Sequence, residues 1–368
     1  MGDNNSRSGL TRREAVRLLG LAAGMLTGLQ EERGLAAQAV RRRAGKIAFP
    51  KGAIIRTILK DVAPEALASG ATLFHEHISI GDPAPPWRPA PRNPAPPPFG
   101  SNIDLMVEEL KATAKDGVSC IVNAGTRDLG QNIEHLRAIA TRSGVHIVVS
   151  GGYWTQPAYP PEVAQQTEDQ IADDFIRDAR AERWGALGEV GVSMQIHPDE
   201  RKVLRAACKT HVRTGLPLFT HNPHDGCKSC ALEQLDIIES MGVNPHLVCI
   251  GHLSDITDDP KAETHKALAK RGAFLGFDTV GRRLTQPDSK KLEMLLAAID
   301  AGYEDHILLS SDFASAQELK ANQGAGLGSA VVIFVPKMRY AGVKEETIRK
   351  ILVDNPRRFL AFVPKMSS

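Results

Sequence analysis

Aromatic side chains are scarce, 5% of the 368 residues. A surface that stacks nucleic-acid bases needs more of them. Neither charge is in excess: 45 basic and 43 acidic side chains leave a formal net charge of +2. That balance gives no electrostatic footprint for a nucleic acid or an acidic membrane. The apolar segment at 18–29 falls short of the roughly 20 residues that span a bilayer, so no stable membrane insertion is expected. The five cysteines are odd in number, which excludes complete internal pairing. Cys227 and Cys230, a lone CxxC, cannot complete a four-ligand zinc site; a loop disulfide or two unpaired thiols are the open readings. Cys120 and Cys249 lie in apolar runs and read as buried free thiols. No GxGxxG follows the first strand-like segment, which weakens a dinucleotide-binding fold.

What is present starts with an address. Thr11-Arg12-Arg13 precedes the mild apolar segment, and Ala37-Gln38-Ala39 offers a small-residue cleavage site. Residues 1–39 therefore resemble a twin-arginine export signal. The expected location is the periplasm, or the cytoplasm if the paired arginines are a coincidence. Residues 46–368 read as a single domain.

Residues 46–61 alternate loosely between apolar and polar, which predicts a small hairpin. Strand-like apolar runs then recur at 71–74, 118–124, 146–150, 186–190, 217–220, 246–250, 273–277 and 306–310. Between them, helical spacing appears at 102–116, 132–142, 168–180, 199–214, 231–241, 260–271 and 290–301, with two terminal helices at 331–340 and 344–353. Near-continuous apolar strands imply burial on both faces, hence a parallel sheet. Eight alternating units predict an α/β fold, a (β/α)8 TIM barrel, with a doubly wound open sheet as the alternative. Residues 81–100 are too rich in proline for helix or central strand and predict a lid or flap after the first strand. Trp87 and Phe99 within it could cover a pocket.

The chemistry sits at strand ends. His75 and His77 are two residues apart, so they leave one strand on the same side. Two neutral imidazoles aimed at one point suit a divalent metal such as zinc. Glu189, His221, His252 and Asp312 end later strands. In a barrel the C-terminal strand ends converge on one mouth. An unpaired buried carboxylate there costs several kcal/mol, roughly, which divalent cations offset.

In these residues the chain resembles the phosphotriesterase-like branch of the amidohydrolase superfamily, in its Glu-bridged subgroup. The specific pieces are His75-Glu76-His77, Gly251-His252 with Thr257-Asp258-Asp259, Leu309 to Asp312, and Asn123-Ala124-Gly125-Thr126-Arg127-Asp128. The resemblance implies two divalent ions, zinc first, with manganese, cobalt or iron also accepted. It assigns His75, His77 and Asp312 to the more buried ion, His221 and His252 to the more exposed one, and Glu189 to the bridge. It implies hydrolysis of a phosphotriester-type ester in a small-molecule substrate, by a metal-bridged hydroxide with Asp312 as proton acceptor. Lactone or N-acyl amide hydrolysis is the alternative chemistry, and a noncatalytic metal-bound ligand-binding barrel the rival class. A homodimer is also implied. Trp154 would line the leaving-group pocket, and Asp255 would be an acid behind the ligands. Thr279 stands where some relatives carry histidine, which leaves the relay from Asp255 open. Asp255 and Asp278 could equally be solvated loop charges. His197, His211, His224 and His265 receive no role.

Overall fold

The computed structural model describes residues 47–81, 98–282 and 285–365. The expected export signal, and Trp87 with most of the proline-rich stretch, lie outside the described residues. Phe99 lies within them, in a short 3-10 turn at Phe99–Ser101, with its ring edge-on to Phe313 at 5.3 Å.

Eight parallel strands pair in chain order: Ala71–Glu76, Val118–Asn123, His146–Gly151, Trp184–Gly191, Leu218–His221, Val248–Ile250, Phe274–Phe277 and Ile307–Leu309. Almost every residue in them is buried, as expected of strands covered on both faces. Helices Ile103–Lys115, Ile133–Ser143, Glu168–Glu182, Pro198–Thr214, Lys228–Ser240, Glu263–Lys270 and Asp288–Asp300 alternate with them. Their starts are written in the sequence. Asn102 and Asn132 cap two of them through their side-chain oxygens, and Thr167 with Gln170 forms a capping box on a third. The result is a nearly closed TIM barrel. Its first and eighth strands meet at the mouth, where the His77 N–H donates to the Phe313 carbonyl (2.8 Å) and the Asp312 N–H to the His75 carbonyl (3.1 Å).

The hairpin pairs Ile55–Arg56 with Asp61–Val62, at the C-terminal end of the predicted stretch. The terminal helices also depart from a simple α pattern. Wider π turns at Ala330–Phe334 and Lys350–Asp354 each end two residues before a proline, Pro336 and Pro356. A proline has no N–H for the i→i−4 ladder, so the turn opens there. Cys227 and Cys230 close a disulfide, and Cys227 also caps helix Lys228–Ser240. Cys120, Cys208 and Cys249 are free and buried.

The barrel interior is filled by Phe74, Val122, Val148, Ala186, Phe219, Cys249 and Leu308, with Phe359 from the last helix joining them. The Phe74 ring meets Phe219 and Phe359 edge-on, each at 6.5 Å. Truncation Phe74→Ala should therefore cost about 3–5 kcal/mol of stability, read as a lower midpoint of urea unfolding at fixed metal content.

Candidate metal centre

Five of the eight strand ends bring the six expected ligands to one place. His75 and His77 leave the first strand on one side. Glu189 comes from the fourth strand, where Gly188 precedes it at φ +142; a Cβ at Gly188 would lie 2.5 Å from the Phe219 carbonyl oxygen. His221 ends the fifth strand, His252 follows the sixth, and Asp312 follows the eighth. All six are buried.

Glu189 lies among four imidazoles. Its Oε2 is 2.9 Å from His221 Nδ1, 3.3 Å from His75 Nε2 and 3.3 Å from His252 Nε2. Its Oε1 is 3.3 Å from His77 Nε2. Asp312 Oδ1 lies 3.1 Å from His77 Nε2 and 3.7 Å from His75 Nε2. Three groups have donor atoms that all lie within 4.8 Å of one another: His75, His77 and Asp312; His75, Glu189 and His252; and His221, His224 and His252.

Two of the expected ligands sit on unusual backbone. His252 and Asp312 have φ of +53 and +52, in the left-handed region that non-glycine residues rarely adopt. Each is held there by its N–H: His252 donates to Asp278 Oδ1 at 2.8 Å, Asp312 to the His75 carbonyl.

Behind the imidazoles stand carboxylates. Asp278, buried, has Oδ1 3.1 Å from His252 Nδ1 and Oδ2 3.1 Å from His75 Nδ1. A carboxylate on the far nitrogen fixes the ring and aims the near nitrogen inward. Asp255 is buried as well. It accepts from Thr279 Oγ1 and Thr285 Oγ1, both at 2.5 Å, and its Oδ2 is 2.7 Å from His224 Nδ1. The solvated-charge alternative therefore fails for both acids, since neither exposes any surface. The strand-end logic that found Asp312 applies equally to Asp278, one residue past Phe277. His224 gives no such signal, because its place depends on how the loop after the fifth strand folds back. Trp154 lies beside His221, its ring edge-on at 5.3 Å. His211 bonds the Leu216 carbonyl, and His197 caps helix Pro198–Thr214; neither faces this centre.

The electrostatics ask for cations. Burial alone would depress His75, but Glu189 and Asp278 outweigh it and hold the imidazolium up to about 10. Burial pushes Glu189 up, and the His75 and His221 imidazoles more than reverse this, leaving it well below the usual carboxylate range. His221 is lowered to about 4, by burial first and then by His252. His75 Nε2, which faces Glu189 and Asp312, is buried without a hydrogen-bond partner. An orphaned imidazole nitrogen among carboxylates belongs to a donor set that divalent metals accept. The substitution Asp278→Asn should weaken divalent-metal binding about 10–100-fold, measured by equilibrium dialysis.

Comparison with known proteins shows the family. Residues 55–360 match the sequence profile of the Phosphotriesterase family. An aryldialkylphosphatase from Saccharolobus solfataricus is 30% identical over 311 residues, covering 79% of this chain and 95% of that protein. An N-acetyltaurine hydrolase from Danio rerio is 27% identical over 350 residues, covering 84% and 98%. The crystal structure of a lactonase from Listeria monocytogenes superposes with a TM-score of 0.72 at 25% identity, covering 84% of this chain and 99% of that one. The chain belongs to the phosphotriesterase family and is a hydrolase.

Proposed function

We propose that this hydrolase is binuclear and metal-dependent, and that it cleaves a phosphotriester-type ester in a small molecule. The observation that carries the proposal is Glu189, one buried carboxylate in contact with four imidazoles from three strand ends. His75, His77 and Asp312 would hold the inner ion, His221 and His252 the outer, with Glu189 between them. Zinc is the first choice, with manganese, cobalt and iron open to the same donors. Two such ions, when bound, would bring the pKa of a water from 15.7 toward about 7 and polarise the scissile P=O or C=O.

The chain's own residues do the rest. Asp312 divides its oxygens: Oδ1 faces His77, while Oδ2 lies 3.3 Å from Arg282 Nη1 and 3.8 Å from His224 Nε2. Asp312 would take the attacking water's proton and pass it to the leaving group. Arg282 is itself held by Glu318 at 2.8 Å, so its guanidinium stays against Asp312. Trp154 offers an apolar wall beside His221 for the leaving group. The arm of Glu189 is shorter than that of a carboxylated lysine and supplies the same single charge. Residues 1–39 would direct export to the periplasm, and the protein would act as a homodimer.

A second reading, hydrolysis of a lactone or an N-acyl amide, is favoured by Thr279. This residue is fully buried and gives its hydroxyl to Asp255, so the seventh strand end presents no imidazole to substrate. Named relatives act on such carbonyl centres. Steady-state assays on paraoxon, acyl-homoserine lactones and N-acyl amides separate the two.

Wild-type protein should hold two ions per chain, and Glu189→Ala one or fewer, by elemental analysis after dialysis. Unchanged stoichiometry would remove Glu189 from the site. With metal retained, Asp312→Asn should lower kcat about 10²–10⁴-fold.

A further inference from the structure

We infer that His224 is a third imidazole ligand of the outer ion, beside His221 and His252. This rests on the binuclear reading above and extends it. His221, His224 and His252 form a cluster that mirrors the inner group of His75, His77 and Asp312. The His224 ring lies 4.2 Å from that of His252 and 5.2 Å from that of His221, centroid to centroid.

The second observation is the acid behind it. His75 and His252 each have Asp278 at Nδ1, and His224 has Asp255 at Nδ1 in the same way, at the shorter distance of 2.7 Å. That arrangement fixes the tautomer. Nδ1 carries the proton toward the acid, and the Nε2 lone pair is left for the cluster. Asp255 is in turn pinned by Thr279 and Thr285. An imidazole merely resting on the rim would need no such support.

The ligand count leaves room for it. With Glu189 bridging, His221 and His252 would give the outer ion three protein donors, and His224 would be a fourth, within the range that such sites reach. Direct bonding to Asp312 is the weaker use of His224, because Nε2 stands 3.8 Å from Oδ2, beyond hydrogen-bond range.

The test uses the full chain loaded with cobalt(II). Metal content is followed through a chelator titration, and the visible absorption of the cobalt is recorded. For wild type, two ions per chain are expected. His224→Ala should lose the outer ion at chelator levels that leave wild type at two, an affinity loss of about 100-fold or more, with a changed cobalt spectrum. Asp255→Asn should lower the outer affinity about 10–100-fold. Circular dichroism checks that both variants fold; if His224→Ala does not, Asp255→Asn decides by the same measurement. Both ions kept at wild-type affinity with an unaltered spectrum would overturn the assignment, even if turnover fell. That outcome would leave the binuclear reading standing, whereas a single ion in wild type would overturn both.

Discussion

One carboxylate, Glu76, holds the seam of the barrel shut. It leaves the first strand between His75 and His77 but on the opposite side. There it accepts hydrogen bonds from Ser310 Oγ at 2.8 Å, the Ser311 N–H at 2.9 Å and the Phe313 N–H at 2.7 Å. The eighth strand is only three residues long, so its continuation is fixed by these bonds rather than by a long ladder. They bracket Asp312 on both sides. Burial pushes the Glu76 carboxyl up to about 8, with the three donors pulling the other way. The same short stretch that offers two imidazoles thus also anchors the acid that faces them.

The seam explains a backbone that would otherwise be costly. Asp312 and His252 both sit at positive φ, a conformation worth of order 1–3 kcal/mol of strain outside glycine. Each is over-determined by bonds on either side: Glu76 flanks Asp312, and Asp278 takes both the N–H and the ring of His252. The left-handed turn redirects the side chain from the strand axis toward the centre of the mouth. Asp278 links the halves of the site, because its two oxygens address imidazoles from the first and sixth strands. Pivoting of either ring would break a buried contact.

The sequence made the barrel legible because strand burial is periodic and nearly uninterrupted. It made the gathering of six candidate side chains legible because strand ends are topologically equivalent places. His75 and His77 follow from a period of two alone. Assigning Glu189 to a bridge took the resemblance, since no local pattern distinguishes a bridging glutamate from a capping one. Asp255 and Asp278 looked as much like solvated loop acids as like partners, because burial after a strand end depends on neighbouring loops. His224 was invisible for the same reason: three residues past His221, through Asn222 and Pro223, nothing periodic governs where a ring points. The hairpin lay later than its alternation suggested, as its register is set by Ile54 bonding to Phe362 across the chain.

The two acids of the mouth differ in a way that bears on what can change here. Asp255 is satisfied several times over. It accepts two threonine hydroxyls and the His224 ring, and the wholly buried Lys291 stands 3.7 Å away. Lys291 is tied by its ammonium to the Thr279 carbonyl and hydroxyl. Burial lowers its pKa while Asp255 supports the charge, so lysine and acid neutralise each other without a metal ion. A threonine at position 279 therefore completes a network rather than leaving a gap. Glu189 has no such company, since every charged partner it has is an imidazole that must itself be neutral to bind a metal. Protons or cations must enter to balance it. Threonine at 279 thus sits beside an acid that is already neutralised, whereas Glu189 at the fourth strand end is not.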